Sequence, residues 1–192
     1  MSVLERATKV GLIVAVVVAA MLVVAVGAAV AAPPDRAGVI AVFEGEKLNL
    51  AQSWGEAEAC LIWQQEGISE CFRNEAEMDA RVAELDAEVA LTRTAGGVAA
   101  ASTCSGYLRL YDRTWYGSPV LYLRDRYEWL NLSDYGFNQR TSSYKVGPCS
   151  SYFADYSNGG GDWYPTHLTE ANDQSGWMNS GWNNDVSSVY IS

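Results

Sequence analysis

The sequence predicts a mainly β protein, with two Greek-key motifs packed as a sandwich in its C-terminal half and a small, disulfide-stapled α+β module before them. Three observations carry that reading. Short strand-prone runs at residues 107–111, 120–123, 143–146, 152–154 and 187–191 alternate with turns rich in Gly, Asn and Ser. Every tyrosine and five of the seven tryptophans lie between Tyr107 and Tyr190, so the aromatic, β-prone composition is concentrated there. A pattern of aromatic, amide, polar residue, two variable residues and two hydroxyls occurs at Phe137-Asn138-Gln139-Arg140-Thr141-Ser142-Ser143, and again about 45 residues later at Trp182-Asn183-Asn184-Asp185-Val186-Ser187-Ser188. Recurrence at that period marks a repeated structural unit.

At the N-terminus, Arg6 and Lys9 precede an uncharged Ala- and Val-rich run over residues 10–32, and Ala29-Val30-Ala31 stand just before Pro33-Pro34. Positive charge, apolar run and small residues are the parts of a secretory leader, so residues 1–32 are expected to be a signal peptide cleaved near Ala31 or Ala32. The run exceeds the roughly 7–15 residues of an ordinary signal core and could also span a bilayer, which makes a retained signal anchor the alternative. Only in that case would the chain be held at a membrane. Either way the positive flank stays inside and the remainder is delivered outside the cytoplasm.

Export bears on the four cysteines, Cys60, Cys71, Cys104 and Cys149. An even number in an oxidising compartment reads as disulfides, and no spacing among them is the CxxC of a zinc site. All three connectivities are open; the division into domains favours Cys60 with Cys71 and Cys104 with Cys149.

Net charge is −10. Residues 33–103 hold 13 acidic and 5 basic side chains, and residues 104–192 hold 9 and 6. Phosphate binding runs on Lys and Arg, so this balance argues against nucleic acid and against adhesion to anionic lipid.

Residues 38–91 form the small acidic module. Val39-Ile40-Ala41-Val42-Phe43 reads as a strand, Glu44-Gly45-Glu46 as a turn into Leu48-Asn49-Leu50, and Cys60-Leu61-Ile62-Trp63 with Ser69-Glu70-Cys71-Phe72 as a second hairpin that a disulfide could close. Asn74, with Glu77 three residues on, is a capping box. Behind it Met78, Val82, Leu85 and Val89 form one apolar helical stripe, and Glu75, Asp79, Glu84, Asp86 and Glu88 form an opposite face expected to be solvated. Residues 92–103 are mostly Thr, Ala, Gly and Ser and read as a linker. Residues 104–192 are the β domain. The module is small for an independent core and is expected to lean on its disulfide or on the second domain.

Ahead of each repeated loop lies a second repeated element. Leu110 is followed at plus five by Trp115 and at plus seven by Gly117; Phe153 is followed by Asn158 and Gly160 at the same offsets. Together the two elements resemble the Greek-key motif of the betagamma-crystallins, in which an aromatic-cornered hairpin ends in a glycine and a later Asn/Asp-Asn/Asp-x-x-Ser/Thr-Ser loop binds calcium. The resemblance implies a betagamma-crystallin-like sandwich over residues 104–192. It implies a glycine in a backbone shape that side chains resist, and a serine that ties the hairpin down.

The same resemblance implies a weakly bound Ca2+ held by Asn183, Asn184, Asp185 and Ser187, with Asn184 and Ser187 the leading side-chain ligands and backbone carbonyls near Asp185 completing the shell. Asn138, Arg140 and Ser142 are the corresponding first-loop positions, and there Gln139 stands where the family has Asn or Asp. Neutral oxygens of this kind suit a hard cation at the modest affinity of extracellular modules. Without a metal, the same serines and amides would satisfy backbone groups in tight turns.

The opening Cys104-Ser105-Gly106-Tyr107-Leu108-Arg109-Leu110-Tyr111, the Trp115-Tyr116-Gly117 hairpin and Gly136-Phe137-Asn138 also look like the bacterial small metalloproteinase inhibitors, an exported, disulfide-bonded family of the same fold. That resemblance implies a peptidase inhibitor whose partner is an extracellular metallopeptidase. No inhibitory segment of that family is recognisable here, so this expectation rests on fold. A third expectation is an envelope module that stacks glycan on Trp129, Tyr135, Trp163 and Tyr164, residues that otherwise serve the core. Catalysis has little support: His167 is the only histidine, no nucleophile or zinc-protease motif accompanies it, and Asp125 with Glu128 define no cleft. The chain is therefore expected not to be an enzyme.

Overall fold

The computed structural model describes residues 37–95 and 107–192, and among these no helix is long and apolar enough to cross a membrane. The expected leader, most of the expected linker and Cys104 lie outside the described residues. In chain order the strands are β1 (Ile40–Phe43), β2 (Glu46–Asn49), β3 (Ala59–Trp63) and β4 (Ile68–Phe72), then helix α1 (Glu75–Ala95). The second half contributes β5 (Leu108–Arg113), β6 (Gly117–Leu123), β7 (Trp129–Asn131), β8 (Ser143–Val146), β9 (Ser151–Ala154), β10 (Trp163–Thr169), β11 (Gln174–Ser175) and β12 (Ser188–Ile191).

Strands β5–β8 and β9–β12 are two Greek keys that exchange a strand. The short β11 pairs with β8 beside β5 and β6, while β7 joins β12, β9 and β10 in a four-stranded sheet of order β10-β9-β12-β7. Each sheet therefore contains one strand of the other key, which interlocks the repeats. Between the sheets lie Leu108, Leu110, Leu121, Leu123, Tyr144 and Val146 on one side, and Leu130, Phe153, Tyr164, Val189 and Ile191 on the other. Alternate residues of each strand supply this core, as a two-layer sandwich requires.

The N-terminal segment extends the first sheet. β3 runs parallel to β6, with Ala59 opposite Val120 and Ile62 opposite Leu123, giving the eight-stranded order β11-β8-β5-β6-β3-β4-β1-β2. The centre of that sheet is buried on both faces. Beneath α1 a second apolar cluster joins Met78, Val82 and Leu85 to Ala59, Leu61, Tyr111, Val120 and Tyr122. Burial on both faces explains why β3 and the end of β6 are apolar without alternation.

Cys60 and Cys71 occupy directly paired positions on β3 and β4 and are disulfide-bonded. Cys149 is also disulfide-bonded. The helix starts at its capping box: Asn74 Oδ1 accepts the Glu77 N–H at 3.0 Å, and Glu77 Oε2 accepts the Arg73 N–H at 3.2 Å. It continues four residues into the stretch read as linker. Nothing in Thr92–Ala95 breaks a helix, and the Thr92 hydroxyl bonds back to the Val89 carbonyl at 2.9 Å.

The acidic face of α1 differs from expectation. Glu75 and Asp79 both pair with Arg109 at 2.6 and 2.7 Å, Tyr111 donates its hydroxyl to Glu75 at 2.7 Å, and Asp86 pairs with Arg124 at 2.8 Å. The helix lies over β5 and β6 as well as over its own hairpin, so these carboxylates meet arginines of the second half; Glu84 and Glu88 stay exposed.

Candidate calcium-binding loops

The first loop begins where a 3-10 turn over Leu132–Tyr135 ends at Gly136. Gly136 has φ +63°, and a Cβ there would lie 2.2 Å from the Leu50 carbonyl oxygen, so both conformation and space demand glycine. Phe137 is fully buried and anchors the chain, after which Asn138 and Gln139 turn out into solvent and Thr141, Ser142 and Ser143 turn back in. The second loop copies this plan. Trp182 is half-buried, Asn183 and Asn184 are exposed, and Val186, Ser187 and Ser188 are buried. Gln139 and Asn184, the second residue of each loop, both adopt the left-handed conformation, at φ +55° and +59°.

The two loops are joined to each other by a reciprocal pair of backbone hydrogen bonds. The Gln139 N–H donates to the Val186 carbonyl at 2.9 Å, and the Asn184 N–H donates to the Thr141 carbonyl at 3.0 Å. Each loop is also tied to its own key: the Ser142 N–H bonds Tyr111 and the Ser187 N–H bonds Ala154, both at 2.8 Å. This pairing brings Asn184 against Ser142 of the opposite loop, whose hydroxyl donates to Asn184 Oδ1 at 2.9 Å. Among the described residues no such bond joins Gln139 to Ser187. The leading amide donor thus meets a serine across the repeat, a relationship that a linear reading of one loop does not contain.

The closing serines hold the hairpins. Ser143 Oγ donates to the Arg113 carbonyl at 2.6 Å and accepts the Tyr116 N–H at 3.1 Å. Ser188 Oγ donates to the Tyr156 carbonyl at 2.6 Å and accepts the Gly159 N–H at 2.9 Å. The expected strained glycine is displaced by one or two residues. Gly117 and Gly160 are extended, and the left-handed pairs are Trp115-Tyr116 and Asn158-Gly159. Gly117 is required by space instead, because a Cβ would come 2.9 Å from the Arg113 Cβ.

The remaining ligand positions are unequal. Asp185 is half-buried beside Asn184, and Asn138 and Asn183 sit on the outer rims. The Arg140 guanidinium turns back to Asp112 at 2.7 Å and to the Gly136 carbonyl at 3.0 Å, and lies over the Phe137 ring. A guanidinium has no acceptor, so Arg140 can offer a cation only its carbonyl. The first loop therefore places a positive charge where the second has a carboxylate. Thr141 stands where the second loop has Val186, and its buried hydroxyl has no hydrogen-bond partner among the described residues.

Elsewhere, Asp125 is only 1% exposed and accepts the Gln64 and Gln65 N–H groups at 3.0 and 2.8 Å, joining β3's end to the second half. That is a structural carboxylate, and sequence alone gave no sign of it. His167 lies on β10. Of the aromatics considered for sugars, Tyr135 and Tyr164 are core residues, whereas Trp129 and Trp163 lie on the outer face of the second sheet.

No protein-family model matches the chain, and no curated protein matches it. Solved structures do. A betagamma-crystallin from Ciona intestinalis aligns at 22% identity and TM-score 0.38, covering 45% of this chain and 100% of its own. An archaeal betagamma-crystallin aligns at 19% and 0.39, over 46% and 99%, and a betagamma-crystallin domain from Flavobacterium johnsoniae at 20% and 0.35, over 44% and 92%.

Proposed function

We propose that this chain is an exported binding protein, without catalytic activity, whose paired loops hold Ca2+. The observation that carries the reading is the cross-loop meeting of Ser142 Oγ and Asn184 Oδ1, 2.9 Å apart and fixed by two reciprocal backbone bonds. Oxygens at that separation can share one ion at the ligand distance of about 2.3–2.6 Å that Ca2+ prefers. The donor set fits the ion. It is hard, oxygen-only and largely neutral, the carbonyls of Arg140 and Asp185 accept no hydrogen bond among the described residues, and Asp185 adds one negative charge. The backbone frame is already set by the pairing, so binding needs little ordering of the chain.

In this reading Asn184 and Ser142 hold the principal ion with Asp185 beside them, and Gln139 with Ser187 forms a weaker second position. One carboxylate and otherwise neutral donors correspond to a dissociation constant of roughly 10⁻⁴–10⁻³ M. Export fits the leader expected from the sequence and the disulfide of Cys60 and Cys71, a bond that persists in oxidising compartments. Calorimetric titration and thermal melts with Ca2+ test the proposal: a saturable heat and a rise in Tm are expected, both lost in Asn184→Ala and both reduced in Ser142→Ala. Absence of heat and of a melting shift at millimolar Ca2+, with the wild-type protein folded, would remove the metal from the account.

A further inference from the structure

We propose that the chain also binds a neutral glycan in a cleft beside the second loop, walled by Trp163 and Trp182. The cleft has a volume of about 320 Å³ and is lined by Asp162, Trp163, Pro165 and Trp182. It falls at the small end of the roughly 300–1,000 Å³ range of small-molecule sites. Both walls are held in place. Trp182 meets the buried Tyr164 edge-on at 5.4 Å, and the Trp163 indole N–H donates to the Gly159 carbonyl at 2.9 Å. Trp163 nevertheless keeps 39% of its surface exposed.

Trp163 is also one corner of an aromatic group on the outer face of the second sheet. Its ring lies 5.2 Å from Tyr152, Tyr152 lies 6.0 Å from Tyr190, Tyr190 lies 5.6 Å from Trp129, and Trp129 returns to Trp163 at 5.7 Å. Their strand neighbours Tyr164, Phe153, Ile191 and Leu130 point into the core, so the alternation of each strand turns these four rings outward. A sugar ring presents C–H groups on its face and hydroxyls around its edge. The electron-rich indole face attracts the former, and the Asp162 carboxylate accepts from the latter. Rings fixed by packing and hydrogen bonds lose little freedom when a ligand stacks on them.

Charge selects the kind of glycan. Among the described residues Asp162 is the one charged residue lining the cleft, and the four rings carry no charge, so a uronic acid or sulfated chain meets repulsion while a neutral chain does not. The site shares no ligand with the calcium loops, although Trp182 directly precedes Asn183 and Asn184. Among the described residues Trp182 bonds to the loop only through its backbone, its carbonyl accepting the Asp185 N–H at 3.2 Å, so glycan is expected to bind with or without the ion.

Tryptophan fluorescence and calorimetry of the full chain with hexamers of β-1,4-linked glucose and of N-acetylglucosamine provide the test, in Ca2+ and in chelator, with polygalacturonate as the acidic comparison. One or both neutral hexamers are expected to bind in both buffers, and polygalacturonate is not. Trp163→Phe and Asp162→Asn should each weaken binding, Trp163→Ala by about tenfold or more, while Trp115→Ala, which alters an exposed ring outside the cleft, leaves it unchanged. Asn184→Ala should also bind glycan as wild type does, which separates this site from the ion. Failure of both neutral hexamers to bind, equal binding of the acidic polymer, or wild-type affinity in a folded Asp162→Asn variant together with Trp163→Phe would overturn the proposal.

Discussion

The indole N–H of Trp54 donates a 2.7 Å hydrogen bond to the carbonyl of Tyr135, 81 residues further along the chain. Tyr135 ends the turn that delivers Gly136 and Phe137 into the first loop, and Phe137 packs on Trp54 with ring centroids 5.6 Å apart. The Leu50 carbonyl lies against Gly136 from the same side. The segment between β2 and β3 therefore supports the first loop from beneath. This is a role for the N-terminal module that its own sequence does not display.

Trp54→Phe retains an aromatic ring beside Phe137 and leaves the buried Tyr135 carbonyl without its donor. The expected cost is about 1–3 kcal/mol, read as a lower urea midpoint with an unchanged slope. A midpoint equal to wild type would show that the bond contributes nothing net.

Thr141→Val should go the other way. The threonine hydroxyl is buried without a partner among the described residues, and the second loop carries Val186 at the matching place. Removing an unpaired buried hydroxyl while keeping the side chain's shape relieves a desolvation penalty of about 1–3 kcal/mol. The variant is expected to melt at or above the wild-type temperature, and a clear drop in Tm would mean the hydroxyl has a bound partner such as water.

How much of this was legible in the sequence follows the range of the interactions. The capping box at Asn74 and Glu77, the paired cysteines of β3 and β4, and the repeated loops are local or periodic, and the structure places them as read. Strands β7, β10 and β11 are absent from the strands that the sequence predicts. β7 is three residues and β11 two, and each pairs with strands of the other key, so neither has the length or local pattern that marks a strand. β10 contains a proline and an irregular register against β9, which weakens its signal. The parallel pairing of β3 with β6 spans about 60 residues and leaves no trace beyond unbroken hydrophobicity. In the loops the residue types are visible, but the bond from the Ser142 hydroxyl to Asn184 Oδ1 depends on the packing of one key against the other.

Ser143→Ala and Ser188→Ala should destabilise by similar amounts because the two hydroxyls make the same pair of bonds. Each substitution removes one donor and one acceptor and leaves a carbonyl and an N–H of the folded hairpin unpaired. A loss of about 1–3 kcal/mol is expected for each, with a near-additive double variant because the sites belong to different hairpins. A variant that unfolds at the wild-type urea concentration would show that its hairpin holds without the serine.

Alkaline pH offers the broadest test of the core. Burial raises the hydroxyl pKa of Tyr111, Tyr122, Tyr135 and Tyr144, Tyr122 to about 12, and for Tyr111 the hydrogen bond to Glu75 adds to the effect. In the unfolded chain a tyrosine releases its proton near pH 10. Above that point the unfolded state binds fewer protons than the folded state, so stability falls as pH rises. The contribution of Tyr122 is complete below about pH 10 and is lost as pH rises through about 12, and the other three act in the same direction. Tyrosinate absorbance from these four should therefore rise together with the loss of near-ultraviolet circular dichroism. Tyr122→Phe keeps the ring stacked on Tyr107 at 5.3 Å and beneath Arg109 at 4.9 Å while removing one ionising group, so its alkaline midpoint should move to higher pH. Complete titration of all 11 tyrosines before any loss of the near-ultraviolet signal would show that these hydroxyls are not held by the folded core.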